Sequence, residues 1–247
     1  MAREQAVTSQ EDGEFTSNRL RAMTREVCAR YPDEYWRERD LRREYPHQFV
    51  EDLTQAGLLS ALIPVEYGGL GVGLTEASSI LEEINRSGGH AAALHGQLYT
   101  MGAVLRHGSD EQKNRYLPLI ASGELRLQAF SVTEREAGSE TTAIQTEATR
   151  EGDNWVITGH KSWTSRMAET DLVLVLARTE TMPAKKTEGL TLFLFDLREV
   201  ENQQPGAVEV KPVRTMMNYA TNEVFYRGLR LTDANVVGEV GQGFRYV

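Results

Sequence analysis

The spacing of apolar residues changes period once along the chain, near residue 125, and that change constrains the fold more than any single motif. Up to there the apolar positions recur every three to four residues, as on one face of a helix. From about residue 126 they alternate every second residue, as in half-buried strands. Helical and strand patterns that are segregated in this way predict an α+β multidomain chain: an all-α N-terminal helical domain over residues 1–125, then an antiparallel β-barrel or sandwich middle domain over residues 126–237. In the first part Phe49, Leu53 and Ala56 share a face that stops at Gly57. Leu74, Ala77, Leu81 and Ile84 share another that stops before Gly88-Gly89. Leu94, Leu98, Met101 and Leu105 form a third, ended by Gly108, and Ser109 with Gln112 has the capping-box spacing that opens the next helix. In the second part residues 144–150, 155–158, 172–178, 190–195 and 224–231 read as antiparallel strands. Glu151-Gly152-Asp153-Asn154 has hairpin-loop chemistry. No helix-length pattern lies between the strands, which argues against βαβ units, and residues 181–188 read as an exposed loop.

Charge and composition exclude several classes. Lys and Arg total 27 against 36 Asp and Glu, and a net charge of −9 makes neither nucleic acid nor an anionic membrane surface a default partner. The longest clean apolar run, residues 172–177, is strand-sized, far short of the ~18 residues of a membrane span. The N-terminus carries Glu4, Glu11, Asp12 and Glu14 with no apolar core, unlike a secretory or transit peptide, so the cytoplasm is the expected compartment. The single cysteine, Cys28, rules out an internal disulfide and is expected to be a small buried hydrophobe.

Several familiar motifs fail on spacing. Gly68-Gly69-Leu70-Gly71-Val72-Gly73 breaks the dinucleotide pattern at Leu74 and reads as a tight turn between helices. Gly159-His160-Lys161-Ser162 lacks the Gly-Lys pair of a phosphate loop. His47, His90, His95, His107 and His160 include no i,i+4 pair, so no metal site is expected. There is no G-x-S-x-G elbow.

Two segments carry more information. Residues 131–143 read SVTEREAGSETTA, a strand end followed by a hydroxyl-rich turn with Gly138 at its centre; residues 159–167 read GHKSWTSRM, a tryptophan among small hydroxyl residues at another strand end. If Thr133, Ser139, Trp163 and Ser165 converge, they offer an aromatic face with hydroxyl and backbone donors, which suits a flat heteroaromatic ligand. On the residues alone, the plainer reading, Trp163 as core and the hydroxyls as turn formers, has the stronger claim.

The motifs also resemble those of the acyl-CoA dehydrogenases. Val132-Thr133-Glu134 with Ala137-Gly138-Ser139 resembles that family's flavin-binding motif, and Trp163-Thr164-Ser165 resembles its Trp-Ile-Thr element. Ile63-Pro64 with Glu66-Tyr67-Gly68-Gly69 resembles its helix-domain turn. Residues 238–244, GEVGQGF, resemble the junction where its third domain begins. The resemblance implies FAD as cofactor, held by Phe130, Ser131, Val132, Thr133, Gly138, Ser139, Trp163, Thr164 and Ser165, with Ser139 also touching the acyl-CoA. It implies α,β-dehydrogenation of acyl-CoA thioesters to 2,3-enoyl-CoA with hydride transfer to flavin, as in fatty acid metabolism. An electron-transfer flavoprotein is the expected acceptor and a homo-oligomer, dimer or tetramer, the expected full-length form.

The same resemblance sets expectations about what differs. Family members continue into a helical domain that supplies the catalytic glutamate; residues 238–247 would be its start, so the catalytic base is unassigned. Glu134, Glu136 and Glu140 are expected to be solvated turn carboxylates. Ser131 stands where the family prefers Cys, Ala or Gly, Arg135-Glu136 where Pro-Gly is frequent, Glu140 where Asp is usual, and Arg166 where Asn is common. Arg135 and Arg166 are expected to be surface salt-bridge partners, the alternative being that they help hold an anionic ligand. Two other functions stay open on sequence: a flavin-dependent oxidase or monooxygenase of the same fold, and a truncated non-catalytic flavin- or acyl-CoA-binding or interaction protein.

Overall fold

The computed structural model describes residues 16–216 and 220–247, and the acidic N-terminal stretch behind the expected compartment lies outside them. The described residues divide into two compact units, one of residues 16–98 with 117–124, the other of residues 99–116 with 125–216 and 220–247. Helices run over 16–28 (α1), Asp33–Arg42 (α2), His47–Gln55 (α3), Leu74–Arg86 (α4), Ala92–His107 (α5) and Asp110–Ser122 (α6). No described helix is long and apolar enough to cross a membrane.

In the first unit α3 buries Phe49, Val50 and Leu53 and ends at Gly57, which takes the left-handed conformation at φ 73°. The stripe on α4 is turned relative to expectation: Ala77, Ile80 and Ile84 are buried, whereas Leu74 is 62% exposed. Glu83 shares the buried face because Arg25 of α1 holds its carboxylate at 2.9 Å, which offsets the cost of burying it. The glycine run is a turn, as its failed spacing implied. A side chain at Gly69 would fall 2.1 Å from the Ile63 carbonyl oxygen, so only glycine fits there. Cys28 is buried, and burial raises its pKa, as for an inert thiol.

The second unit is built on one eight-stranded sheet. Its strands are β1 (Leu127–Ser131), β2 (Glu147–Glu151), β3 (Asn154–Ser165), β4 (Leu172–Arg178), β5 (Leu190–Asp196), β6 (Val208–Pro212), β7 (Thr221–Thr232) and β8 (Val236–Val237). The order is β6-β7-β3-β2-β4-β5-β8, with β1 against β4. Pairing is mostly antiparallel; β1 runs parallel to β4, and β2 touches it in parallel through one pair. β2 and β3 form the predicted hairpin around Gly152, where φ is 59°. Phe195 of β5 meets Tyr226 of β7 with ring centroids 6.4 Å apart, although three strands separate them in the sheet, so the sheet curls around a single core. Ile157, Val173, Phe193 and Leu229 belong to that core.

Helix and strand lock together at named bonds within this unit. The capping box at Ser109 and Gln112 forms in both directions, at 3.1 and 3.2 Å, and Gln112 then donates to the carbonyls of Ala234 and Val236. Thr100 Oγ1 donates to the Leu127 carbonyl at 2.6 Å. Helix α7 (Leu197–Gln203) and β6 were not read from periodicity. α7 is short and starts on Asp196, whose side chain caps the backbone N–H groups of Arg198 and Glu199.

Candidate functional site

The site begins with an extra residue in β3. Lys161 pairs with Val224 and Thr164 with Asn222, so β3 advances three residues while β7 advances two. The resulting bulge turns Trp163 outward, 60% exposed and in the left-handed conformation at φ 59°. Such a conformation costs a non-glycine residue about 1 kcal/mol. The neighbourhood fixes it: the Ser162 N–H turns to the Thr133 carbonyl at 2.8 Å, and Asn222 Nδ2 donates to the carbonyls of Thr164 and Ala220. The two strand ends that carry Thr133 and Trp163 are therefore joined, and Trp163 is not a core residue.

Behind this corner lies a buried ion pair. Lys161 Nζ donates to Glu134 Oε1 at 2.9 Å and to the Val132 carbonyl at 2.8 Å. Glu134 also accepts the N–H groups of Gln145 and Thr146 at 2.6 and 2.8 Å, which holds those residues out of β2 and explains why that strand starts at Glu147 rather than at Ile144. Burial pushes the Glu134 pKa up, but the Lys161 charge and these hydrogen bonds together outweigh it and hold the carboxyl below its usual value. Burial lowers Lys161 to about 8 against the opposing pull of Glu134. The expectation of a solvated Glu134 is thus corrected: a carboxylate with three donors around it is stable inside. Glu136 and Glu140 are exposed, Glu140 meeting Lys186 at 3.3 Å.

The other sequence-predicted residues fall into three groups. Ser131 and Thr164 are buried and their hydroxyls face each other at 3.2 Å, so only their backbone is left for a ligand. Val132, Thr133 and Ser165 are half-buried, and neither the Thr133 nor the Ser165 hydroxyl is engaged by another described residue. Phe130 is half-buried and stacks on Tyr99, with centroids 6.2 Å apart and planes at 18°. Gly138 and Ser139 lie on the exposed turn beyond Ala137, and a side chain at Gly138 would meet nothing within 4 Å. The structure brings 130–133 and 162–165 together; it records no contact of Ser139 with Trp163 among the described residues. An exposed indole on a strand corner joined to the Thr133 strand end, with the Thr133 and Ser165 hydroxyls unengaged, fits a flat aromatic ring. No described cluster of His, Cys, Asp or Glu could hold a metal ion.

Two residues here escaped the sequence reading. Lys161 was passed over, although strand parity carries the signal: Trp155, Ile157, Gly159 and Lys161 point to one face, and its first two members are core. Arg166 was expected at the surface with a carboxylate. It is 6% exposed and makes no ion pair among the described residues. Arg135 is exposed, as expected, and only 4.0 Å from Glu136.

Comparison with known proteins places the chain in a family. Residues 16–124 match the family profile described as acyl-CoA dehydrogenase, N-terminal domain, and residues 129–229 match acyl-CoA dehydrogenase, middle domain. The chain is 33% identical over 211 residues to a cyclohex-1-ene-1-carbonyl-CoA dehydrogenase of Syntrophus aciditrophicus (strain SB), covering 84% of this chain and 49% of the relative. It is 31% identical over 227 residues to a 3-(aryl)acrylate reductase of Clostridium sporogenes (strain ATCC 15579), covering 91% and 59% respectively. A solved glutaryl-coenzyme A dehydrogenase in complex with glutaryl-CoA superimposes with a TM-score of 0.83 at 26% identity, over 93% of this chain and 58% of that one. The chain spans about half the length of the curated relatives it matches. Through its N-terminal helical and middle sheet domains, this chain belongs to the acyl-CoA dehydrogenase family.

Proposed function

We propose that the Thr133–Trp163 corner holds the isoalloxazine of FAD, and that the protein dehydrogenates acyl-CoA thioesters to 2,3-enoyl-CoA. The observation that carries this reading is Trp163, held 60% exposed in the left-handed conformation at a bulge of β3. Bound FAD supplies the acceptor for a hydride, a capacity no side chain has. The chain's own contribution is placement. Trp163 offers a face for the ring, and Thr133 and Ser165 offer hydroxyl donors that need no reorganisation when negative charge develops beside them. Ser131 and Thr164 act through backbone only, because both side chains are buried. Phe130 and Tyr99 form an adjoining aromatic wall. Gly138 leaves room for a ligand, and Ser139 on the same exposed turn is assigned to both the cofactor and the acyl-CoA.

Glu134 takes no part as a base. Its carboxylate is committed to Lys161 and two backbone N–H groups, and its lowered pKa disfavours proton uptake. The reading includes an electron-transfer flavoprotein as acceptor, a homo-oligomeric full-length enzyme and a cytoplasmic location.

The test is spectroscopic. The chain is incubated with FAD, desalted and mixed anaerobically with an acyl-CoA. Retained visible flavin absorbance that bleaches on mixing supports the reading. A colourless protein counts against the flavin site, and colour that does not bleach counts against dehydrogenation by this chain. Thr133→Val is expected to lose about 2–4 kcal/mol of stabilisation of the reduced flavin, read as slower bleaching or weaker flavin retention.

A further inference from the structure

Among the described residues, Arg166 is a buried guanidinium near the corner that no carboxylate answers. It is 6% exposed, and its Nε is buried with no hydrogen-bond partner. Among the described residues its guanidinium makes one long hydrogen bond, from Nη2 to the Tyr99 hydroxyl at 3.5 Å. No carboxylate pairs with it among the described residues, in a chain with 36 acidic residues. The contrast with Lys161, also buried but answered by Glu134 at 2.9 Å, is direct. Met217, Asn218 and Tyr219, which precede the Ala220 carbonyl that accepts the Arg166 N–H, carry no acid either.

A cation taken out of water without a counter-charge costs several kcal/mol, so the position makes physical sense when a ligand supplies the charge. Its place points to which ligand. Arg166 is three residues beyond Trp163, in the left-handed conformation at φ 58°, and its partner Tyr99 stacks on Phe130. A free Nε beside an Nη presents the two-pronged edge that matches a planar carboxylate. The Phe130 and Tyr99 rings next to it suit a short apolar chain leading to that carboxylate better than a hydrated phosphate.

We propose that Arg166, oriented by Tyr99, forms a carboxylate-recognising subsite beside the Trp163 corner, so that the preferred substrates are acyl thioesters whose acyl group ends in a carboxylate. This rests on the reading that the corner serves an acyl-CoA.

The test is calorimetric titration of the full chain with glutaryl-CoA and with pentanoyl-CoA, which match in chain length and differ in the terminal carboxylate. The expected result is tighter binding of glutaryl-CoA by about tenfold or more, the scale of a charged hydrogen-bonded pair. Arg166→Met abolishes that preference, and Arg166→Lys retains part of it. Equal affinities in the unaltered chain, a comparison that needs no variant, overturn the subsite while leaving the acyl-CoA reading intact. A preference that persists in Arg166→Met overturns it as well. Competition by inorganic phosphate that vanishes in Arg166→Met identifies a phosphate site and overturns the carboxylate assignment. Binding of neither thioester removes the subsite and the acyl-CoA reading together.

Discussion

Lys161 and Trp163 are two residues apart on one strand, yet they belong to opposite regimes. Lys161 is fully buried, with a carboxylate and a carbonyl as partners. Trp163 is 60% exposed and strained at φ 59°, and the hydroxyls of Thr133 and Ser165 on the joined strand ends are used by nothing else in the described chain. One extra residue in β3 separates the two regimes. The buried side is a polar network satisfied at almost every atom, which fixes geometry; the exposed side spends that fixity on holding an aromatic face open. In the proposed reading, rigidity and recognition are thus placed back to back, with Thr133 belonging to both: its carbonyl is bonded inward by Ser162 and its hydroxyl is left over.

The contrast can be broken first on its buried side. Lys161→Met leaves Glu134 charged, buried and without its cation, and is expected to destabilise the chain by about 3–5 kcal/mol in urea unfolding. Adding Glu134→Gln is expected to recover part of that loss, because the stranded charge is gone. Gly159→Ala acts on the same strand through packing. A side chain there would come 2.3 Å from Thr146 Oγ1 and 2.6 Å from its Cα, so a loss of about 1–3 kcal/mol is expected in the same measurement.

The pair also predicts a pH dependence. Lys161 has a pKa of about 8 in the folded chain against an ordinary 10.5. Between those values the unfolded chain holds a proton that the folded chain has given up, so stability rises with pH across that window. The urea midpoint of the unaltered chain is expected to rise there relative to that of Lys161→Met; parallel profiles for the two would contradict the shift. The smallest effect belongs to the exposed side. Trp163→Gly relieves the left-handed strain and surrenders little packing, so stability is expected to stay level or gain up to about 1 kcal/mol. A large loss would make Trp163 a structural residue.

Legibility in the sequence follows the same division. The switch from helical to strand period, the stop at Gly57, the Ser109–Gln112 box and the hairpin at Gly152 depend on local chemistry, and each stands in the structure. What was hidden depends on partners far along the chain. Glu134 looks like a turn carboxylate until Lys161, Gln145 and Thr146 close on it. Leu74 looks like core until Glu83 and Arg25 turn the α4 face. Trp163 reads as core by composition, and only a bulge, which alternation cannot announce, sends it outward. Arg166 is the sharpest case, since a lone arginine at a strand end gives no sign that its side chain is buried without a counter-charge.

The central claim is that the Trp163 ledge exists for a flavin rather than for the fold. Its most direct test compares flavin retained after desalting by the unaltered chain and by Trp163→Gly, alongside their melting temperatures. The account predicts stoichiometric flavin in the first, loss of it in the second, and melting temperatures that match or favour the variant. Equal retention by both proteins, or no retention by the unaltered chain, would contradict it.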